Sequence, residues 1–516
     1  MAKKDGVDNV RLMLGLCLVL GLALSLFLFR RDAFVSTDGC AYVLLGKNLA
    51  SGLGYTSWGG PHLWFPPGYP LAIGAFYLIT GDPELAAHAV SIVSFLISTL
   101  LLFRLSSMVY GRSAALLAVI LFMVNRSVLE NSHATMAHSL DMALVTAAAC
   151  LAATIINKNG PAFRYFVLLG IVLAGASLNR PENIILSVAV VSCLLFQTGG
   201  RLLRRLAAFS CLILAFGITV FPYVNFIHRH TGEWTLTAKV TNLQHYEYLY
   251  SNDPLGREKM TKARVSDFDL LRYIKKEKEA LAARYLQGAK QLPGVLSGIL
   301  FGAPGFLLIC LGLFWQKLDK DKLKVQVLLL SCLSPLVIVP FGNMRVRYFL
   351  SVVPVFMVWM GRGLENVYLL MKGRLKCPVR QSAAVVCCVV VLLALPTARF
   401  LFFGKNTGLA YEHKEMGLWM KDNIEGIESR KIASRKPWVP FYSGGAREGI
   451  PFSKDDKSLP SYLRSRGIDY LIIDERFTSG VRPLLRPLLD DAGRHDGLSR
   501  VHVIREPKKI VLYKVE

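Results

Sequence analysis

The residues of this chain best equipped for chemistry are ionisable groups set just past the ends of long apolar runs. Asp38 follows the first run, in Ser36-Thr37-Asp38-Gly39. Arg126 and Glu130 close a later one. His133, His138 and Asp141 gather before the next, with His138 and Asp141 one helical turn apart. Arg180-Pro181-Glu182 breaks two further runs, and Arg345, Arg347 and Tyr348 stand at another junction. An ionisable group held at membrane depth is costly and is therefore a functional candidate. Arginines grip a phosphate through paired hydrogen bonds, and a carboxylate can take the proton of an attacking hydroxyl. Together at one membrane interface, these groups suit a reaction on an anionic lipid. Each alone has a plainer account: an Asp after a span commonly caps a helix, arginines anchor at the interface, and Glu130 reads as a solvated acid. His133, His138 and Asp141 form the grouping that suits a divalent metal, the one cofactor the residues suggest, although no familiar ligand spacing is present.

The elements that must position these groups are membrane spans. The chain has 516 residues, 53% hydrophobic and only 19% charged, with a mean hydropathy of +0.41. That balance excludes collagen-like, disordered and disulfide-scaffold classes and most soluble ones. The net charge of +24 does not indicate a nucleic-acid partner. The basic residues cluster between apolar runs: Arg201, Arg204 and Arg205; Lys317, Lys320, Lys322 and Lys324; Lys372, Arg374, Lys376 and Arg380. This is the bias of cytoplasmic loops. The ten cysteines lie mostly inside apolar runs without CxxC spacing, so they read as small apolar fillers.

The run from Val10 to Phe29 is long enough to span and is followed by Arg30-Arg31-Asp32 rather than a cleavage site. It reads as a retained first span. Further runs lie near 84–106, 113–129, 139–156, 164–179, 183–198, 206–227, 295–315, 325–341, 348–370 and 383–403, giving about eleven spans. The expected fold is a polytopic α-helical membrane domain over 1–403, followed by a soluble α/β domain over 404–516. Charge and parity place 30–82, 129–139, 228–294 and the tail on the outer face. In the first outer loop, Trp58, Leu63, Trp64, Phe65 and Tyr69 surround Pro66-Pro67-Gly68-Tyr69-Pro70, a composition that suits half-length interfacial helices. Residues 265–291 carry Leu270, Leu271, Ile274, Leu281 and Leu286 at helical spacing, which predicts a surface helix. In the tail, strands are predicted at Tyr470–Ile473, Val501–Ile504 and Ile510–Val515, with helices near 412–424 and 458–466.

The pattern Asp38-x3-Tyr42-x7-Ala50-x-Gly52-x-Gly54-Tyr55, followed by Pro66-Pro67-Gly68-Tyr69-Pro70, resembles the first outer loop of the C-type (GT-C) membrane glycosyltransferases. That superfamily includes the protein O-mannosyltransferases and the transferase that adds aminoarabinose to lipid A. Arg345-Val346-Arg347-Tyr348-x5-Pro354 is similar to their late R-Y…P element. Arg180-Pro181-Glu182 and the tail segment Gly467–Asp474 resemble bacterial members. The resemblance implies transfer, with inversion, of a sugar from a polyprenyl-phosphate carrier to an acceptor hydroxyl. It makes Asp38 the general base and Asp141 a second acidic position. Arg345, Arg347, Tyr348 and Arg180 then hold the carrier phosphate, and Tyr42, Tyr55, Trp64, Tyr69, Glu130 and Glu182 line the substrate.

Two departures separate the chain from the named branches. Gly39 follows Asp38 where O-mannosyltransferases carry an acidic pair, and Trp64-Phe65 stands where aminoarabinose transferases place Glu-Lys. The expected partners are therefore a polyprenyl-phosphate sugar, membrane lipids and an acceptor lipid, glycan or protein, in a bacterial inner membrane with the site and C-terminus on the periplasmic side. The alternatives are a lipid or glycan flippase, for which the sequence shows no repeated halves, and a polyprenyl-diphosphate glycan ligase or polymerase.

Overall fold

Lipid offers no partner to backbone polar groups, so apolar runs that cross it must be helical. The computed structural model describes residues 2–158, 162–237, 270–315, 319–342, 344–404, 408–451, 455–490 and 495–516; Lys317 and the 265–269 end of the predicted surface helix fall outside these. In chain order, the first elements are α1 (Ala2–Asp32), α2 (Thr37–Ala50), a small hairpin of β1 (Thr56–Ser57) and β2 (Gly60–Pro61), α3 (Gly68–Thr80), α4 (Pro83–Tyr110), α5 (Arg112–Met123) and α6 (Arg126–Asn131). They continue with α7 (His138–Asn157), α8 (Phe163–Asn179), α9 (Asn183–Gln197) and α10 (Leu202–Thr231).

Among the described residues, five helices are long and apolar enough to cross a membrane, or up to seven if each of two bent pairs is one span. The other predicted spans are not all full-length. Runs 113–129, 164–179 and 183–198 are helical but short, because Asn125 caps a new helix and Arg180-Pro181 separates α8 from α9. Run 325–341 is a helix over Lys320–Ser331 that bends by 44° into 3-10 turns, as its two prolines dictate. Run 295–315 is broken at Leu300-Phe301, where Lys278–Ile299 turns by 91° into Gly302–Phe314. Phe301 takes a φ of 63° in the left-handed region to make that turn. Within Lys278–Ile299, a Cβ on Gly288 would come 2.8 Å from Pro340 Cα, so this helix lies tight against the turn that precedes Arg347.

Small residues let the spans approach. A Cβ on Gly363 would lie 2.7 Å from the Leu308 carbonyl carbon, and one on Gly312 would lie 2.8 Å from that of Trp359. Helices Gly302–Phe314 and Val353–Gly373 therefore touch backbone to backbone. Beside this contact Trp359, almost wholly buried, donates its indole N–H to Gln326 Oε1 at 2.8 Å, and Gln326 Nε2 donates to the Tyr110 hydroxyl at 2.9 Å. In the first loop, α2 and α3 are the expected half-length helices, packed through Gly46 and Gly74.

The C-terminal domain is a five-stranded mixed sheet in the order β4-β3-β5-β7-β6, with β3 at Lys431–Ala433, β4 at Ala446–Glu448, β5 at Tyr470–Asp474, β6 at Leu498–Ile504 and β7 at Ile510–Val515. β3 runs parallel to β4 and β5, whereas β7 runs antiparallel to β5 and β6. Period-two alternation sends Leu471, Ile473, Val511 and Tyr513 to one core and Ile472, Ile510 and Leu512 to another. The second core is closed by helix Tyr411–Asn423 and its Met416 and Met420.

This domain is fastened to the segment between α1 and α2. Trp438 donates its indole N–H to the Val35 carbonyl at 2.8 Å, and the Val35 N–H donates to the Tyr442 hydroxyl at 3.3 Å. That hydroxyl donates to Glu84 Oε1 at 3.4 Å, and Lys414 Nζ reaches the same oxygen at 3.1 Å. Behind Trp438, the buried His413 ring lies 3.4 Å from Glu412 Oε1 and 3.7 Å from Asp474 Oδ2. Burial opposes the charge on His413, but the carboxylates of Asp474 and Glu412 outweigh it and raise its pKa above the ordinary 6.5. Burial likewise opposes the charge on Glu412, yet His413 and Arg476 hold it down to about 2 from 4.5.

Gly363→Leu forces the two helices apart, at a cost of about 1–3 kcal/mol, and lowers the thermal midpoint in detergent. Gly373→Leu, at a site with open space around it, leaves the midpoint unchanged. The His413 contribution is complete below pH 6.5 and is lost as pH rises through its raised folded value. The Glu412 contribution is complete above pH 4.5 and is lost as pH falls toward about 2. The melting midpoint of the full chain should therefore decline on both sides of that window, and His413→Gln should remove the alkaline decline.

Candidate active site

Asp38 sits in the first turn of α2, but it does not cap it. Ser36 is the N-cap: its Oγ accepts the Gly39 N–H at 3.0 Å and donates to the Thr135 carbonyl at 3.1 Å. The Ser36 N–H donates in turn to Thr135 Oγ1 at 2.9 Å. With the cap supplied elsewhere, the Asp38 carboxylate is left facing outward, 35% exposed. Gly39 is required by the same contact. A Cβ there would come within 2.6 Å of Ser36 Oγ and 2.7 Å of the Thr135 oxygen, so no acidic pair fits at this position.

Arg347 lies on the one-turn 3-10 helix Val346–Tyr348 and brings Nη1 to 3.5 Å from Asp38 Oδ2. Its Nη2 donates to the Tyr348 hydroxyl at 3.2 Å. The Tyr348 ring has guanidinium carbons against it at 5.1 Å from Arg347 and 5.2 Å from Arg180, both within cation–π range. Arg180 Nη1 also donates to the Arg347 carbonyl at 3.4 Å. Behind it, Arg180 forks onto Glu182 Oε1, with Nε at 2.7 Å, while the same Nε lies 3.8 Å from Asp141 Oδ2. Asn183 and Asn179 donate to Asp141 Oδ1 at 2.6 and 3.3 Å.

The structure thus brings Asp38, Arg347, Tyr348, Arg180, Glu182, Asp141 and His138 into one connected cluster at one end of the helical bundle. Their standing within it differs. Asp141 was expected to act on the substrate, but it is 1% exposed and enclosed by two asparagines and Arg180. Its contacts make it a positioning group for that arginine. Arg345 precedes the turn and is exposed. Glu130 is not part of the cluster: it pairs with Arg126 one turn back at 2.7 Å, and Arg126 lies over the Phe400 ring.

The tyrosines also divide. Tyr42, one turn beyond Asp38, is buried against Phe65 at 4.6 Å and Tyr69 at 5.3 Å between ring centres. Tyr69 is fully buried with its hydroxyl donating to the Ala87 carbonyl at 2.9 Å, and Tyr55 donates to the Phe65 carbonyl at 2.7 Å. Tyr69 and Tyr55 hold the first loop rather than face a ligand.

The expected metal grouping does not assemble. His138 Nδ1 lies 3.4 Å from Arg180 Nη1, a fixed cation where a metal would sit, and the His133 ring stacks on His88. Among the described residues, no three His, Cys, Asp or Glu side chains are placed to hold a metal ion.

Above Asp38 opens a cavity of about 410 Å³. Thr37, Asp38 and Ala41 form its floor, and Trp58, His62, Trp64 and Phe65 form an aromatic side. Its roof is Arg435, Lys436 and Arg447 of the C-terminal domain. Sequence patterns did not reveal these roof residues, because they fall outside the tail segment Gly467–Asp474 that carries a resemblance. Asn179 and Asn183 had a readable signal: they stand four apart, bracketing Arg180-Pro181-Glu182.

Residues 65–224 match the family model for dolichyl-phosphate-mannose-protein mannosyltransferase. That segment holds the Pro66–Pro70 loop, Asp141 and Arg180, while Asp38 and Arg347 flank it. No curated protein sequence matches the chain at a significant level. By structure, the chain is similar to ArnT from Cupriavidus metallidurans bound to undecaprenyl phosphate, with a TM-score of 0.60 at 12% identity over 98% of each chain. It is also similar to the Archaeoglobus fulgidus oligosaccharyltransferase tethered with an acceptor peptide, with a TM-score of 0.57 at 12% identity over 89% of this chain and 69% of that one. Fold and family segment agree: residues 65–224 match the mannosyltransferase family model, and the whole chain shares the fold of these solved membrane glycosyltransferases.

Proposed function

We propose that this enzyme moves a sugar from a polyprenyl-phosphate carrier to an acceptor hydroxyl at the outer face of a bacterial inner membrane, with inversion and with Asp38 as the general base. The observation that carries this reading is the 3.5 Å approach of Arg347 to Asp38 beside an open cavity. The acid and the phosphate-binding cation are close enough to serve one sugar-phosphate headgroup. A similar fold has been solved with undecaprenyl phosphate bound, which supports a carrier of that class. The orientation is supported by the basic loops. Arg201, Arg204, Arg205 and the lysines from 320 to 324 begin helices at the bundle end opposite the cluster.

Before the donor binds, Arg347 pairs with Asp38. The donor phosphodiester, whose single negative charge is shared by two non-bridging oxygens, competes for the guanidinium and draws it away. Arg180 and Tyr348 hold Arg347 from behind, and the Asp38 carboxylate becomes available to the acceptor. As the acceptor oxygen attacks the anomeric carbon on the side opposite the phosphate, Asp38 takes its proton. The bond from anomeric carbon to phosphate oxygen breaks, its electron pair leaves on that oxygen, and polyprenyl phosphate departs with the configuration inverted. Phosphate leaves readily, so one carboxylate suffices and no paired acid is required.

Asp38→Asn keeps the size and removes the base. Transfer from a radiolabelled polyprenyl-phosphate sugar in membranes should fall by about 10²–10⁴-fold; near-normal transfer would overturn the assignment. Arg347→Ala should raise the KM for donor more than that for acceptor, and the opposite pattern would remove the phosphate role.

A further inference from the structure

We propose that the cavity over Asp38 is a subsite for a saccharide bearing an anionic substituent, a phosphate or carboxylate, held by Arg447 and Lys436 of the C-terminal domain. This deepens the glycosyltransferase reading and rests on it, since it gives the cavity to the acceptor. On that reading the donor phosphate is met by Arg347, which does not line this space. The cations that line this space with Asp38 are a second group, placed to meet a charge other than the donor phosphate.

The cavity, at about 410 Å³, is within the size range of small-molecule sites. Its side wall offers flat apolar faces from Trp58, Trp64 and Phe65, which suit the C–H face of a sugar ring. Arg447 lies 5.8 Å over the Trp58 ring and donates Nη2 to the Arg435 carbonyl at 3.3 Å. Lys436 Nζ lies 4.7 Å from the Phe477 ring centre and 5.8 Å from that of Trp438. Ring faces and one carbonyl orient these cations without neutralising them. Among the described residues, neither has a carboxylate within ion-pair distance. Burial pulls the pKa of both below its ordinary value, so an arriving anion would find two desolvated positive groups. Asp38 on the floor then faces the hydroxyl, and the roof takes the anion.

The test measures binding, not transfer, on the full chain in detergent micelles, read by tryptophan fluorescence. The probes are glucose, glucose 6-phosphate, glucuronate, inorganic phosphate, and a synthetic disaccharide glycolipid with and without one phosphate. The anionic sugars should bind about tenfold more tightly than glucose, and inorganic phosphate should compete with them. Should only the phosphorylated glycolipid show this preference, the anion reaches the site on a lipid; should glucose 6-phosphate show it too, the headgroup alone suffices. Arg447→Gln and Lys436→Gln should each erase the preference while polyprenyl phosphate still binds, and Arg347→Ala should do the reverse. Equal binding of charged and neutral probes would overturn the proposal. So would a loss of polyprenyl phosphate binding in Arg447→Gln as large as in Arg347→Ala, which would give the roof to the donor. Lys436, held against ring faces, supplies the test should Arg447→Gln fold poorly. Asp38→Asn reports on the base separately, so failure of either idea is visible by itself.

Discussion

Two guanidinium groups sharing one tyrosine ring, at the edge of a bundle otherwise made for lipid, set the terms for the rest of this molecule. Like charges so close repel strongly where little water is present. Arg180 and Arg347 are tolerated because Glu182 and Asp141 answer the first and Asp38 answers the second. The arrangement is graded. Arg180 and Asp141 are sealed at 9% and 1% exposure, whereas Arg347 and Asp38 are about one-third open. The sealed pair is a fixed support, and the open pair is the half of the cluster that a ligand can rearrange.

Positioning the open pair draws on distant parts of the chain. Asp38 is set by Ser36 and Thr135, the latter from the link before α7, and Val35 is held by Trp438 and Tyr442 of the C-terminal domain. Arg347 depends on a one-turn helix that packs beside a bent pair of helices. The soluble domain therefore does more than cover the membrane portion. It anchors the segment leading to the acid and contributes three cations to the space above it.

Much of this could be read from the residues. Apolar run length located the helices, because lipid leaves no other conformation to such segments. Short stretches rich in β-branched and aromatic residues located β5, β6 and β7. Strands β3 and β4, at three residues each, are too short to show a period. Breaks inside runs were harder: the 91° turn depends on a strained Phe301, and only packing reveals why it holds. Within the site, cost at membrane depth singled out Asp38, Arg180 and Arg347, since few other reasons place such groups there. Glu130, read as a solvated acid and also expected along the substrate, is paired with its neighbour Arg126 on an exposed helix face. The same argument overrated His133 and His138, whose closeness in sequence is divided between two different neighbours. Arg435, Lys436 and Arg447 stayed hidden because surface cations look alike until a fold turns some of them inward.

The elbow at Phe301 has one more implication. Helix Lys278–Ile299 runs nearly crosswise to the segment that follows it, and Gly288 seats it against the turn leading to Arg347. On the proposed reading, the carrier phosphate is held beside this crosswise helix, with its polyprenyl tail in the plane of the bilayer. Such a carrier would search two dimensions instead of three, and its long tail would never have to leave the oil.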